Sequence, residues 1–166
     1  MSAALPPLIG PEQVALISRR VSIIVGSRDA QHRPHVMRAV GCRVSADLRR
    51  VTIFMAVTSS ERVLDDLRAN GRIAVVFSEP STNHTVQFKG GDAVVEAIAP
   101  GDEATVDRYL HGFIEEIGQL GFPRNVAQTM LAHGPGGLVA VHFTPLAAFE
   151  QTPGPAAGQA LAPHAG

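Results

Sequence analysis

Hydrophobic and polar positions alternate along several short segments in the first third of the chain, as they do in β-strands that bury one face. This alternation predicts strands over 21–25, 35–44 and 51–57. Two polar turns, 28–33 and 45–50, separate these strands. Because the strands are close in sequence and are joined by short polar turns, we expect a meander of antiparallel hairpins.

Other segments follow the helical period. Over 102–120 the apolar residues recur three or four positions apart, which predicts a long amphipathic helix. Pro11 and Pro123 are each typical of the start of a helix and predict two shorter ones. A further helix is predicted to begin at a capping box over 58–61, in which a Thr and a Glu satisfy each other's backbone N–H, and to end at Gly71.

The later strands are predicted over 72–77, 84–99 and 138–149. Paired glycines at 90–91 interrupt the second of these and indicate a bulge or a sharp bend. The chain is therefore expected to carry about six or seven strands and roughly three or four helices. Most strands follow one another without a crossover helix, so the pattern favours a mainly β fold with flanking helices, closed as a small antiparallel barrel, over a parallel sheet.

The length and composition fit a single folded domain. The chain has 166 residues, of which 45% are hydrophobic and 17% charged, and this is enough to bury a core. We expect the folded domain to span 11–151. The flanking segments 1–10 and 152–166 have no apolar period and are rich in Pro, Ala or Gly, so both are predicted to be mobile tails.

Charge and residue content exclude several classes of protein. Lys plus Arg is 14 and Asp plus Glu is 15, so the net charge of −1 argues against a general nucleic-acid binder. The single Cys excludes an internal disulfide framework. No apolar run reaches about 18 residues and no signal peptide is evident, so we expect a cytoplasmic protein that does not associate with membranes.

Candidate catalytic and metal-ligating residues are few. His32 and His35 are three positions apart, but no Cys or carboxylate stands at a matching spacing, so no metal site is predicted. Cys42 lies in an apolar strand without a visible His partner and is not expected to be a nucleophile. The sequence therefore assigns no catalytic residue.

Positive charge gathers around the start of the helix predicted at 58–61. Arg62 lies in its first turn, after the hydroxyls of Ser59 and Ser60, where free backbone N–H groups attract anions. Arg38 and Arg43 lie inside an apolar strand and need a partner, because an unpaired buried charge is costly. The arrangement indicates a phosphate site. The alternative is an ordinary helix cap with a solvated Arg62 and two arginines at the rim of the barrel.

Four segments together resemble the FMN-binding split-barrel family related to pyridoxamine 5′-phosphate oxidase. They are Arg38-Ala39-Val40, the strand 51–56, the helix start Ser60-x-Arg62, and Thr85-Val86-Gln87-Phe88-x-Gly90. The resemblance covers residues 11–98. It implies a six-stranded antiparallel split β-barrel of the FMN-binding type that forms a homodimer, with FMN at the dimer interface.

The resemblance also implies which residues bind the cofactor. Arg38 and Arg62 would bind the FMN phosphate, and Thr85 would approach the flavin from the other subunit. The backbone of 39–40 would face the isoalloxazine edge, and the side chains of 55–56 would line the ring. The complete set implied is Arg38, Ala39, Val40, Met55, Ala56, Ser59, Ser60, Arg62 and Thr85.

Two departures from the family pattern narrow the expected function. Glu61 stands where a second basic residue is common, and the Trp, Arg and His motif at the C-terminus of true pyridoxamine phosphate oxidases is missing. We therefore expect an FMN-dependent oxidoreductase that acts on a nicotinamide or another small molecule, and no vitamin B6 oxidation. The alternative is a flavin-binding carrier or sensor without turnover, or a split barrel that holds haem or a deazaflavin.

Overall fold

The computed structural model describes residues 6–163, which form nine strands and four helices. The helices are α1 Pro11–Ile17, α2 Val57–Asn70, α3 Asp102–Gln119 and α4 Arg124–Met130. The strands are β1 Ser22–Arg28, β2 Pro34–Arg38, β3 Gly41–Val44, β4 Val51–Ala56, β5 Ile73–Ser78, β6 Thr85–Gly90, β7 Val94–Ala97, β8 Leu138–Phe143 and β9 Ala147–Glu150. The expected class, mainly β with flanking helices, is confirmed.

The strands form two antiparallel sheets that do not close into one barrel. The five-stranded sheet has the order β2-β1-β5-β6-β9, and the four-stranded sheet has the order β3-β4-β8-β7. The prediction of a closed barrel of six or seven strands is therefore wrong in strand count and in closure. The hairpins β1–β2 and β3–β4 form as expected, but β2 does not pair with β3, so the first strands are not one continuous meander.

The strand count differs because three predicted strands each divide where the chain passes from one sheet to the other. The segment 35–44 divides at Ala39 and Val40, between β2 and β3. The segment 84–99 divides after Gly90, as its glycines indicated, and 138–149 divides between β8 and β9. Apolar residues lie on both sides of each break. The pattern of hydrophobic residues therefore predicts one long strand where the structure has two.

Three of the helices begin close to the predicted residues, whereas the start of α2 differs from the prediction. The capping box at 58–61 does not form: the helix begins at Val57, its N-cap is Ala56, and no side chain caps it. Strand β4 leads directly into the helix, and the Val57 N–H donates instead to the carbonyl of Gly137 at 2.8 Å. The other end is as predicted, with Gly71 in the left-handed region at φ 65°.

The core divides into two apolar clusters. One lies between the two sheets and under α2, and its largest buried side chains include Ile23, Ile53, Phe77, Phe88 and Phe143. The other lies under α3 and α4 and is built around Phe54, Phe113 and Ile117. In the described part of the chain, no helix is long and apolar enough to cross a membrane.

Parts of the two segments predicted to be mobile tails pack against the domain. Ile9 is fully buried in the first cluster, and Leu161 packs against the same cluster. The Glu150 N–H donates to the carbonyl of Gln159, and Ala160 pairs with Phe149 in an isolated bridge. Residues 1–5 and 164–166 lie outside the described part, and the mobility of the tails stays a prediction.

Candidate functional site

The first turn of α2 forms one wall of a cavity of about 400 Å³. Residues 34–37 of β2 form the opposite wall, and residues 58–63 line the helix side. The N–H groups in the first turn of a helix have no partner within the helix, and here no side chain caps them. These groups and the guanidinium of Arg62 give the cavity hydrogen-bond donors and positive charge, while Glu61 adds a carboxylate. An anion is therefore the ligand that this cavity favours.

Ser60 strengthens that assignment. Its side chain is 1% exposed, and its hydroxyl is the one buried polar side-chain atom without a hydrogen-bond partner among the described residues. Because β4 runs straight into α2, Ser60, the fourth residue of the helix, is buried against the core and also lines the cavity. A buried hydroxyl without a partner costs about 1–3 kcal/mol. An oxygen of a bound anion would satisfy it.

A second cavity of about 410 Å³ adjoins the first and shares His35 and Arg62 with it. Here the Nδ1 of His35 lies 2.8 Å from Oδ2 of Asp66, and the hydroxyl of Ser27 donates to the same oxygen at 2.7 Å. Asp66 is buried, so this carboxylate fixes the orientation of the imidazole. The arrangement places an imidazole of fixed orientation in the wall of the α2 cavity.

Sequence reasoning missed this Ser27–Asp66–His35 group. The three residues belong to three different elements, and Asp66 and His35 are 31 residues apart. One signal was available in the sequence: Asp66 lies between Val63 and Leu67 on the apolar face of α2, where a carboxylate needs a polar partner. The identity of that partner depends on which strands the helix covers.

Arg38, the other predicted phosphate ligand, lines a different cavity from Arg62. That cavity measures about 440 Å³ and is walled mainly by apolar side chains of α3 and α4 and the segment between them. The Nη1 of Arg38 donates to the hydroxyl of Ser22 at 2.6 Å, and the guanidinium lies 5.9 Å from the ring centre of Phe113. The structure therefore does not bring the two arginines to one cavity.

Four other residues of the implied set lie inside the fold. The N–H of Ala39 donates to Ile23 at 3.0 Å and that of Val40 donates to Phe54 at 2.8 Å, so both N–H groups are already used within the protein. Met55 is fully buried in the first core cluster, and Ala56 is the N-cap of α2. Contact of these residues with a flavin stays a prediction.

The remaining two hydroxyl residues are also placed by local contacts. Ser59 lines the α2 cavity, and its Oγ lies 3.5 Å from the carbonyl of Ala56, at the limit of a hydrogen bond. Thr85 lies at the start of β6, where its hydroxyl donates to the carbonyl of Asn83 at 2.9 Å and meets the hydroxyl of Ser78 at 2.7 Å. A role for Thr85 across a dimer stays a prediction.

The other residues that the sequence singled out have structural partners. The Nε of Arg43 donates to Oδ1 of Asp102 at 3.0 Å. Burial of Asp102 would raise the pKa of its carboxyl, but the N–H of Ala99 and the guanidinium of Arg43 outweigh it and hold the pKa below its usual value. Burial raises the pKa of the Cys42 thiol to about 12, so the nucleophilic thiolate is not formed near neutral pH. No group of three His, Cys, Asp or Glu suited to a metal comes together within residues 6–163.

No protein-family model matches the sequence, and no curated protein is significantly similar to it. Solved structures do share its fold. HupZ from Group A Streptococcus is 16% identical with a TM-score of 0.55, over 90% of this chain and 99% of that one. A pyridoxamine 5′-phosphate oxidase-related, FMN-binding protein from Nostoc punctiforme is 13% identical with a TM-score of 0.50, over 89% and 87%. An F420 reductase is 12% identical with a TM-score of 0.51, over 84% and 98%.

At these identities the likeness concerns the fold alone. It confirms the resemblance drawn from the sequence, since the chain has the fold of FMN-binding proteins related to pyridoxamine 5′-phosphate oxidase. The α2 cavity also suits the phosphate end of FMN by its own chemistry. It offers the unpaired hydroxyl of Ser60, the N–H groups of the helix start and the guanidinium of Arg62.

Proposed function

We propose that this protein binds FMN, with the phosphate at the first turn of α2. The unpaired buried hydroxyl of Ser60 carries the proposal, because it is a hydrogen-bond donor that the protein itself leaves unused. Arg62 supplies the charge for a phosphate, and Ser59 supplies a second hydroxyl at the same helix start. The shared fold with an FMN-binding protein is independent support.

Arg38 has a less direct part in this proposal. It precedes the crossing from β2 to β3 and lies two residues from Val36, which lines the α2 cavity. Its guanidinium would have to leave the hydroxyl of Ser22 to reach a phosphate held by Arg62. We therefore assign Arg62 the larger share of the phosphate affinity.

We further propose that the protein is a flavin-dependent oxidoreductase of a nicotinamide or another small molecule. Bound FMN supplies the redox chemistry, because an isoalloxazine accepts and returns hydride. The chain itself supplies binding, orientation and exclusion of water. Beside the α2 cavity it also holds an imidazole, that of His35, whose Nδ1 is fixed by Asp66.

The alternative is a carrier or sensor that binds a flavin without turnover, or a protein that holds a deazaflavin or haem. The F420 reductase that shares the fold supports the deazaflavin alternative. A deazaflavin cofactor also carries a phosphate, so the α2 cavity serves both proposals.

Two measurements test these proposals. The first is the visible absorption spectrum of the protein after reconstitution with FMN and removal of free cofactor: a bound flavin spectrum is expected. Retention of a deazaflavin or haem with no retention of FMN would contradict the FMN proposal. The second is anaerobic mixing of the FMN-loaded protein with a reduced nicotinamide. Bleaching of the flavin, as one hydride passes to it from the nicotinamide, is expected of an oxidoreductase, and an unchanged spectrum favours the carrier.

A further inference from the structure

A fourth cavity lies between α1, β3 and α3. Its volume is about 670 Å³, within the usual range for small-molecule sites. Four arginines line it, and no carboxylate is among its lining residues. The arginines are Arg19, Arg20, Arg43 and Arg108. None of the residues implied by the resemblance lines this cavity.

Two of the arginines are held in place by carboxylates that lie outside the cavity lining. Arg43 donates through Nε to the buried Asp102 at 3.0 Å, which leaves its terminal nitrogens for another partner. Arg20 crosses α3 at Gly112 and reaches Glu115 at 2.5 Å. A Cβ at Gly112 would lie 3.3 Å from Cγ of Arg20, so the glycine makes room for this crossing.

The other two arginines are more loosely tied. Arg19 lies 3.6 Å from Glu79, and its side chain is about half exposed. Arg108 donates to the hydroxyl of Thr105 at 2.9 Å and has no ion pair within residues 6–163. The four guanidinium groups at the cavity edge are thus paired with three carboxylates in all. The excess positive charge faces a cavity that no carboxylate lines.

The floor of the cavity is apolar and rigid. It includes Ile17, Val44 and Leu48 and the ring of Tyr109. The Tyr109 hydroxyl donates to the carbonyl of Val21 at 2.7 Å, and burial raises its pKa, so the phenol stays neutral. The ring is also stacked with Phe113, at 5.9 Å between centres and 10° between planes. An apolar surface that is already ordered binds a ligand without a further loss of side-chain entropy.

We propose that this cavity binds a small amphiphilic anion, that is, a phosphate or carboxylate joined to an apolar ring or chain. The guanidinium groups of Arg43 and Arg108 take the anion, since Arg forms paired hydrogen bonds with both oxyanions. The apolar part lies on Ile17, Leu48 and Tyr109. This site does not depend on the proposed flavin site, because the two cavities share no lining residue.

The test is a calorimetric titration of the full chain with phenyl phosphate, benzoate, inorganic phosphate and benzyl alcohol. Phenyl phosphate and benzoate represent the two anions, and the last two probes lack either the ring or the charge. We expect at least one aromatic anion to bind at least about tenfold more tightly than inorganic phosphate and benzyl alcohol. The tighter of the two identifies the anionic group.

Variants locate the site. Arg108→Gln and Arg43→Gln are each expected to weaken the better aromatic anion by about tenfold, because each removes a charge-assisted contact. Arg68→Gln on α2 is the matched control, since Arg68 is an exposed arginine paired with Asp65 away from this cavity. Thermal unfolding of each variant verifies that it folds. If Arg43→Gln does not fold, because Asp102 loses its partner, the comparison of wild type with Arg108→Gln still decides the test.

Three outcomes would overturn the proposal. No measurable binding of either aromatic anion is the first, and equal binding by wild type and Arg108→Gln is the second. The third is a loss of binding in Arg62→Gln together with its retention in Arg108→Gln, which would assign the probe to the α2 cavity.

Discussion

The hydroxyl of Ser60 has an unusual position for a polar group: it is buried at a helix start, it lines a cavity, and it has no partner within residues 6–163. Replacing it with Ala is expected to have effects of opposite sign on stability and binding. Without ligand, Ser60→Ala should raise the free energy of unfolding by about 1 kcal/mol, because an unsatisfied group is removed. With FMN, affinity should fall roughly fivefold. Denaturant unfolding and a flavin-fluorescence titration measure the two effects.

The same titration has a clear negative outcome for Ser60. If Ser60→Ala destabilises the free protein and leaves FMN affinity unchanged, the hydroxyl is a structural group and not part of a ligand site.

Arg62 is the second residue at which the flavin proposal is directly testable. Arg62→Ala is expected to weaken FMN binding by about 1.5–3 kcal/mol, or roughly tenfold or more, because a charge-assisted contact to phosphate is lost. Arg68→Ala is the matched control on the same helix, since Arg68 is exposed and pairs with Asp65 at 3.2 Å. Flavin-fluorescence titrations of the three proteins at fixed salt compare them. Equal affinities of wild type and Arg62→Ala would remove Arg62 from the site.

At the scale of secondary structure, the two sheets depend on close contacts where the chain crosses between them. Gly90 ends β6 at such a crossing, and a Cβ there would lie 2.8 Å from Cδ2 of Phe143 and 3.1 Å from the carbonyl of Thr144. Gly90→Ala is therefore expected to lower the free energy of unfolding by about 1–3 kcal/mol. Gly118→Ala in α3 is the control, because no atom lies within 4 Å of the added Cβ.

Denaturant unfolding compares the two glycine variants. Gly118→Ala should be neutral or stabilising by up to about 1 kcal/mol, since Ala favours a helix more than Gly does. A Gly90→Ala protein as stable as wild type would mean that Phe143 can move aside without cost.

His142 links three strands of the four-stranded sheet and predicts a pH dependence. Its Nδ1 lies 2.8 Å from the hydroxyl of Thr52 on β4, and its Nε2 lies 3.3 Å from Glu96 on β7. Burial lowers the pKa of this imidazole below 6.5, Glu96 opposes the shift, and Arg43 and Arg50 add to it.

Because the folded-state pKa of His142 is lowered, the unfolded chain binds the proton more readily. The stability that the neutral imidazole contributes is fully present above pH 6.5 and is lost as the pH falls through the lowered pKa. Denaturant unfolding measures this loss when it is repeated from pH 7.5 to pH 5 at intervals of about half a pH unit. His142→Gln should flatten the profile in that range, and an unchanged slope would assign the pH dependence to another group.

At the scale of the whole molecule, the outer face of the five-stranded sheet is partly open to solvent. By strand register it carries the apolar Ile24, Val36, Val76 and Phe149 together with Arg38 and Gln87, and Val36 is 65% exposed. We propose that two copies pair through this face, because a monomer would leave Val36 and its partly buried apolar neighbours in contact with water. Val36 also lines the α2 cavity, so pairing would bring a second copy beside the proposed flavin site.

The substitution Val36→Asp tests this pairing. We expect a homodimer for wild type by light scattering, and a shift to monomer with weaker FMN binding for Val36→Asp, because the charge would be buried at the interface. Lys89→Ala is the control, because Lys89 lies on the same face of the sheet, over the ring of Phe149. It tests whether any substitution on this face shifts the protein to a monomer. A monomeric wild type at micromolar concentration would contradict the proposal.

A further prediction for the whole protein concerns its substrate. We expect no more than a trace of pyridoxamine 5′-phosphate oxidation, because the chain has no Trp and lacks the C-terminal motif of Trp, Arg and His that such oxidases carry near the substrate. An oxidase assay with FMN supplied measures this. Turnover close to that of a dedicated oxidase would show that other residues of this chain replace the missing motif.

The sequence alone located the helices and the strand-forming segments, and it carried the family resemblance. The period of 3.6 residues located α3, the prolines located the starts of α1 and α4, and Gly71 marked the end of α2, because these signals act within a few residues. The segments around Arg38, Ser60 and Thr85 carried the resemblance. The kinship of fold with FMN-binding proteins is confirmed, whereas the six strands that the resemblance implied are nine strands in two sheets.

The tertiary structure alone decided which strands share a sheet and which side chains meet. The alternation of apolar residues is the same on both sides of a sheet crossing, so the breaks after Arg38 and Phe143 left no trace in the pattern. The pairing of His35 with Asp66, the separation of Arg38 from Arg62 and the missing partner of Ser60 arise between elements far apart in sequence. Local periodicity reports which face of an element is buried, whereas a binding site depends on what that face is buried against.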